Sequence, residues 1–113
     1  MYTLYGIRNC DTVKKARKWL DDRNIAYRFH EYRSDGLDTT LLDRLEQALG
    51  WDNMLNRRST TWRQLDAREK ADLDAESARA LMLKQPTLIK RPVLDTGTRI
   101  TIGFSPSQYE TEL

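Results

Sequence analysis

Cysteine and histidine are almost absent: Cys10 and His30 stand alone in 113 residues. A single cysteine excludes an internal disulfide, a CxxC redox pair and a zinc site built from several thiolates. A single histidine excludes a His-rich metal site. Charge of one sign is also scarce. The net charge of +2 is too small to argue for nucleic acid unless it is gathered into a patch. No apolar run approaches the ~20 residues that span a bilayer. The first residues run straight into a strand, without the basic and apolar regions of a secretory signal. No linker, repeat or low-complexity tract is present. What remains is a chain with 32% charged and 39% hydrophobic residues, expected to form one soluble domain around one core. Its expected location is the cytoplasm, where thiols stay reduced. If Cys10 does redox chemistry, the second sulfur must come from another molecule.

The surroundings of Cys10 are informative. Tyr2 to Tyr5 alternate as a short strand, with Tyr2 and Leu4 on one face and Thr3 and Tyr5 on the other. Gly6 is expected to break the strand and allow a sharp turn. Asn9 is a good N-cap. Val13, Ala16, Trp19 and Leu20 then recur at helical spacing, with Lys14, Lys15, Arg17 and Lys18 between them. The cysteine is therefore expected where a strand hands over to the first turn of a basic helix. Free N–H groups and the helix dipole favour negative charge there. Lys14 and Arg17 lie one and two turns on, on roughly the same face. Each effect lowers the thiol pKa from ~8.5 toward the ~3.5–7.5 of activated cysteines, and the thiolate is the nucleophile. The plain alternative is a small buried hydrophobe. The flanking polar residues favour the reactive thiol.

Asn24 reads as a left-handed stop to the first helix. Residues 25–32 then read as a strand, parallel to the first through a right-handed crossover. His30 sits mid-strand with no acidic residue at catalytic spacing, and is read as structural. Ser34-Asp35-Gly36 is a turn. Asp38 caps a second helix with Leu41, Leu42, Leu45 and Leu49 inward, and Gly50 ends it. Residues 51–65 read as broken helical turns around a donor-rich loop. Arg57 and Arg58 beside Ser59, Thr60 and Thr61 suit a carboxylate, phosphate or arsenate. The same residues equally describe a solvated basic turn whose hydroxyls cap helices. Residues 66–73 are expected to be partly helical. Asp74 caps a helix with Ala75, Ala78, Leu81 and Met82 inward, which Pro86 ends. Residues 87–94 lead into a strand, 95–98 turn, and 99–102 return antiparallel. Gly103 to Pro106 turn into an acidic C-terminal segment. The order strand, helix, strand, helices, strand, strand, helix is an α/β two-layer pattern with a mixed sheet.

Gly6-Ile7-Arg8-Asn9-Cys10-Asp11-Thr12-Val13-Lys14-Lys15-Ala16, with Arg91-Pro92 far downstream, resembles the arsenate reductase-like ArsC/Spx family, most closely its YffB branch. The resemblance runs over essentially the whole chain. It implies a thioredoxin-like fold: a mixed four-stranded sheet with a helical insertion between the second and third strands. It implies Cys10 as the catalytic nucleophile, with Asn9, Thr12 and Lys14 among the groups that bind substrate around it. It also implies a cis Pro92 against the cysteine, far above the ~5–6% chance of a bare X–Pro bond. Arg91 would then project toward Cys10 and bind an anionic substrate. The resemblance tips the basic loop toward function as well. Arsenate reductases use an arginine in this region, and an ungapped comparison places it opposite Asn56, with Arg57 beside it and Arg58 next.

Two departures argue against efficient arsenate reduction. Gly103-Phe104-Ser105-Pro106 holds no arginine where arsenate reductases carry a further one. Gly6 and Ile7 stand where they have His-Asn. The expected function is therefore a monomeric glutathione-dependent thiol reductase acting on a small anionic or disulfide substrate. Glutathione is its co-substrate and glutaredoxin a partner, with no tightly bound cofactor and no role for nucleic acid or membrane. The alternatives are arsenate reduction proper and an Spx-like regulator that binds RNA polymerase. Spx regulators typically carry CxxC as a switch, and here the sequence is Cys10-Asp11-Thr12-Val13.

Overall fold

The computed structural model describes residues 1–113. They form two compact units: Met1–Gly36 with Arg91–Leu113, and Leu37–Lys90.

The first unit holds the sheet. β1 (Tyr2–Gly6), β2 (Tyr27–Glu31), β3 (Val93–Asp95) and β4 (Ile100–Ile102) lie in the order β2-β1-β3-β4. β1 pairs parallel with β2, from Tyr2 opposite Tyr27 to Gly6 opposite Glu31, and antiparallel with β3, Leu4 opposite Leu94. β3 and β4 form an antiparallel hairpin. Successive strand residues point to opposite faces. Leu4 and Tyr5 are both buried, so β1 is covered on both faces. On one of them Leu4 and Leu94 pack with Ala16, Trp19 and Leu20 of α1 (Asp11–Asp22) and with Tyr109 of the C-terminal helix. The Tyr109 ring meets Trp19 and Phe104 edge-on, at centroid distances of 5.4 and 4.7 Å.

The end of α1 explains why β2 is shorter than its apolar pattern. Asn24 takes the left-handed conformation, φ 56°. Asn24 N–H donates to Asp21 O, and Ile25 N–H to Leu20 O. These are the paired bonds of a Schellman motif, with its usual apolar contact: Ile25 packs on the cluster that contains Leu20. Ile25 and Ala26 belong to this stop, and the strand begins at Tyr27.

Gly6 does not break the strand. It is the last residue of β1, and what it provides is space. A Cβ there would lie 2.8 Å from Val13 Cγ2. Val13 is buried in the first turn of α1, and its χ1 is restricted in a helix. Gly6→Ala is therefore expected to cost ~1–3 kcal/mol by overpacking. Pairing it with Val13→Ala should recover part of that loss, a favourable coupling readable by denaturant titration of the double-mutant cycle.

The second unit is the helical insertion between β2 and β3: α2 (Thr39–Leu49), α3 (Trp51–Met54), α4 (Thr60–Gln64), α5 (Ala67–Lys70) and α6 (Ala75–Lys84). Asp38, Ser59, Asp66 and Asp74 each cap a helix through the side chain, the last two as capping boxes. Leu42, Leu45, Met54, Ala78, Met82 and Leu88 are fully buried. Asp43 of α2 and Arg79 of α6 form an ion pair. Gln85 closes α6, and Pro86 opens a 3-10 turn over Pro86–Leu88. The chain then returns at Arg91 through a cis Arg91–Pro92 bond into β3, and α7 (Pro106–Glu112) ends it. The mixed four-stranded sheet interrupted by a helical insertion is a thioredoxin-like α/β architecture. No helix is long and apolar enough to cross a membrane.

Candidate active site

Cys10 is the N-cap of α1, with extended backbone at φ −92°, ψ 123°. Its N–H donates to Ile7 O at 3.2 Å, closing a turn, and its carbonyl accepts the first intrahelical bond from Lys14 N–H at 3.0 Å. The cap therefore falls one residue later than the Asn9 expected for it. The turn back to Ile7 uses Arg8 and Asn9, and leaves Asn9 exposed. The displacement has a chemical consequence. The sulfur now stands where a Ser or Asp side chain would accept from the N–H groups of the second and third helical residues, here Thr12 and Val13.

The half-buried thiol makes no side-chain capping hydrogen bond, in keeping with sulfur as a weak acceptor. The charged form gains more. Partial burial is the largest single influence and pushes the Cys10 thiol up. The Val13 N–H, the Arg91 guanidinium as donor and as charge, and the Thr12 N–H together outweigh it, and the thiol lies below its ordinary value. Arg91 reaches the sulfur from the residue before cis Pro92. Beside it Tyr32 is buried to 1% exposure. Burial pushes the Tyr32 phenol far up, Tyr5 adds to this, and Arg91 works against both.

Arg17 does not turn to Cys10. Its Nε donates to Tyr27 Oη at 3.2 Å and its guanidinium sits 4.4 Å from the Phe29 ring centroid. The aromatic side chains of β2 give its planar head a stacking face that an exposed helix surface lacks. Lys14 is exposed one turn from Cys10, and Thr12 is half-buried. A groove of about 410 Å³ runs beside Arg17, Tyr27 and Phe29, and Cys10 is not in its walls. The site is marked by its electrostatics, not by that groove. His30 Nε2 lies 2.7 Å from Gly36 O, the structural role read from its place in the strand.

Asn56, Arg57 and Arg58 belong to the second unit. Asn56 N–H donates to Leu88 O, and its Oδ1 accepts from Arg58 N–H at 3.1 Å. Arg57 is paired with Asp52 at 2.6 Å and lies 5.7 Å from the Trp62 centroid. Ser59 caps α4 by accepting from Trp62 N–H, and Thr61 Oγ1 lies 2.6 Å from Thr87 Oγ1. Ser59 thus does the capping work of an ordinary turn, and Thr61 is tied to Thr87.

The sequence reading missed Glu31. It is the one buried charged residue, 7% exposed, and its Oε2 accepts from Arg8 N–H at 3.1 Å. The signal was available. Tyr27, Phe29 and Glu31 share one face of a strand by alternation, so a carboxylate occupies a register otherwise held by aromatics.

The ArsC family model matches residues 5–111. The chain belongs to the ArsC family. Its fold matches the solved structure of a YffB protein with a TM-score of 0.93 and 51% identity, over 98% of this chain and 97% of that one. A Haemophilus influenzae protein is 50% identical over 97% of this chain and 96% of its own length. The global transcriptional regulator Spx of Listeria innocua is 29% identical over 96% of this chain and 83% of its own. The turn where arsenate reductases of the ArsC family are expected to carry a further arginine here serves structure: Ser105 caps α7 by accepting from Gln108 N–H. Gly103 there has φ 85°, a left-handed conformation that favours glycine.

Proposed function

We propose that this ArsC-family chain is a glutathione-dependent thiol reductase with Cys10 as its single nucleophile. The observation that carries the reading is the thiol at the start of α1 with Arg91 reaching it, which lowers its pKa. The Cys10 thiolate attacks the glutathione sulfur of a mixed disulfide substrate. The old S–S bond breaks, the other thiolate leaves, and Cys10 is joined to glutathione. A second glutathione thiolate attacks the glutathione sulfur of that adduct, and Cys10 leaves as thiolate. One free glutathione thiol is consumed per turnover, and it leaves joined to the glutathione taken from the substrate as one disulfide. Arg91 holds the developing thiolate and an anionic substrate group. In this reading Asn9, Thr12 and Lys14, next to Cys10 in the chain, supply the groups that meet the substrate there. Pro92 sets Arg91. Glutaredoxin serves as recycling partner, and the chain works as a cytoplasmic monomer.

The test is mass spectrometry after incubation with oxidised glutathione. The expected product is heavier by one glutathione, mapped to Cys10. Absence of an adduct, together with no glutathione-driven turnover of a disulfide, overturns the reading. The similarity to a transcriptional regulator over 96% of the chain favours a second reading, a non-enzymatic regulator. Capture of RNA polymerase subunits by a chain that lacks turnover would establish it.

A further inference from the structure

We propose that Glu31 is the positioning residue of the thiol: its buried carboxylate anchors the turn that makes Cys10 the N-cap of α1. The proposal rests on the thiol-reductase reading only for its biological purpose. Its physical content is about the loop.

Three residues separate β1 from Cys10, namely Ile7, Arg8 and Asn9. Two backbone bonds shape that passage at its ends. Tyr32 N–H donates to Gly6 O at 3.0 Å, the last rung beyond β2, and Cys10 N–H donates to Ile7 O at 3.2 Å. Between them the Arg8 N–H points back to the sheet and would be left without a backbone partner. Glu31 Oε2 takes it at 3.1 Å. Glu31 is itself held: it lies opposite Gly6 in the parallel register, its N–H donates to Asp35 Oδ2 at 2.8 Å, and its carbonyl accepts from Asp35 N–H at 2.8 Å. A carboxylate accepting a backbone N–H is a charge-assisted bond, stronger than a neutral one. Burying that carboxylate is costly unless the partner is kept. The arrangement therefore penalises any loop conformation that turns Arg8 N–H away. The turn that depends on it delivers the sulfur to the Thr12 and Val13 N–H groups. Glu31 acts on Cys10 through the backbone and touches no reacting atom.

Reach and charge can be separated by substitution. Glu31→Gln keeps an oxygen acceptor at the same distance without the charge. Glu31→Asp keeps the charge and withdraws it by one methylene. The readout is the rate of Cys10 alkylation by iodoacetamide against pH, which needs neither glutathione nor substrate. The Gln variant keeps the acceptor but loses the charge assistance, and should raise the midpoint by less than the Asp variant does. The Asp variant should raise it by about half a pH unit, roughly a threefold fall in thiolate below the midpoint. An unchanged Asp profile, or equal shifts in both variants, overturns the proposal. In the wild-type chain, the Arg8 amide should exchange with solvent as slowly as the amides of β1. Fast exchange there overturns it without any variant that must fold. Absence of glutathione turnover in the wild type would end the reductase reading and leave these outcomes as they stand.

Discussion

Cys10→Ser is expected to abolish thiol reductase turnover while leaving the fold intact. Cys10 supplies the only thiol in the chain, and the proposed cycle forms a bond to sulfur in its first step. A serine hydroxyl at the same place does not ionise near neutral pH and cannot form the mixed disulfide. The stability side of the prediction follows from where the residue sits. Cys10 is an N-cap that makes no side-chain capping bond, and serine is among the preferred N-caps because its oxygen accepts from the second or third N–H. The variant should melt at or above the wild-type temperature. Activity and stability therefore move apart, so a loss of turnover cannot be put down to unfolding. The checks are a disulfide-reduction assay and a thermal melt on one preparation. Retained turnover would remove the thiol from the mechanism, and a large fall in melting temperature would show that the sulfur packs as a core group.

Arg91→Ala is expected to weaken an anionic thiol substrate by about ten- to a hundredfold, since a hydrogen bond to a charged group contributes about 1.5–3 kcal/mol. The half-exposed thiol and solvent screening place the effect toward the lower end. The same substitution should raise the Cys10 pKa, because Arg91 lowers it both as donor and as charge. The sign for stability follows from linkage. A thiol whose folded pKa lies below its unfolded value stabilises the fold fully above the unfolded value. That contribution is lost as pH falls through the folded value. Arg91→Ala should therefore lose stability relative to wild type on the alkaline side, and the two should converge on the acid side for this group. Alkylation rate and melting temperature against pH, with glutathione titrated into each variant, measure both effects. Unchanged profiles would place Arg91 outside the chemistry.

The sequence determined most of the local structure, because the deciding interactions are themselves local. Asp38 and Asp74 cap helices through residues three positions on, and Asn24 stops α1 within its own last turn. The alternation of residues 2–5 and the helical spacing after Cys10 likewise need no distant partner. The lone thiol and the motif around it, with Arg91-Pro92, are enough by themselves to point to the ArsC family. Long-range packing decided the rest. Gly6 reads as a breaker until Val13 is brought to within van der Waals reach of it. Arg17 reads as a charge for Cys10 until β2 sets Tyr27 and Phe29 beside it. Arg91 is 81 positions from Cys10 in the sequence, and only the pairing of β3 with β1 carries it to the sulfur. Glu31 is one carboxylate among many in a charged chain. Parallel pairing of β2 with β1 is what sets it beneath the Arg8 N–H, because strand register, unlike helix capping, joins residues that share no sequence neighbourhood.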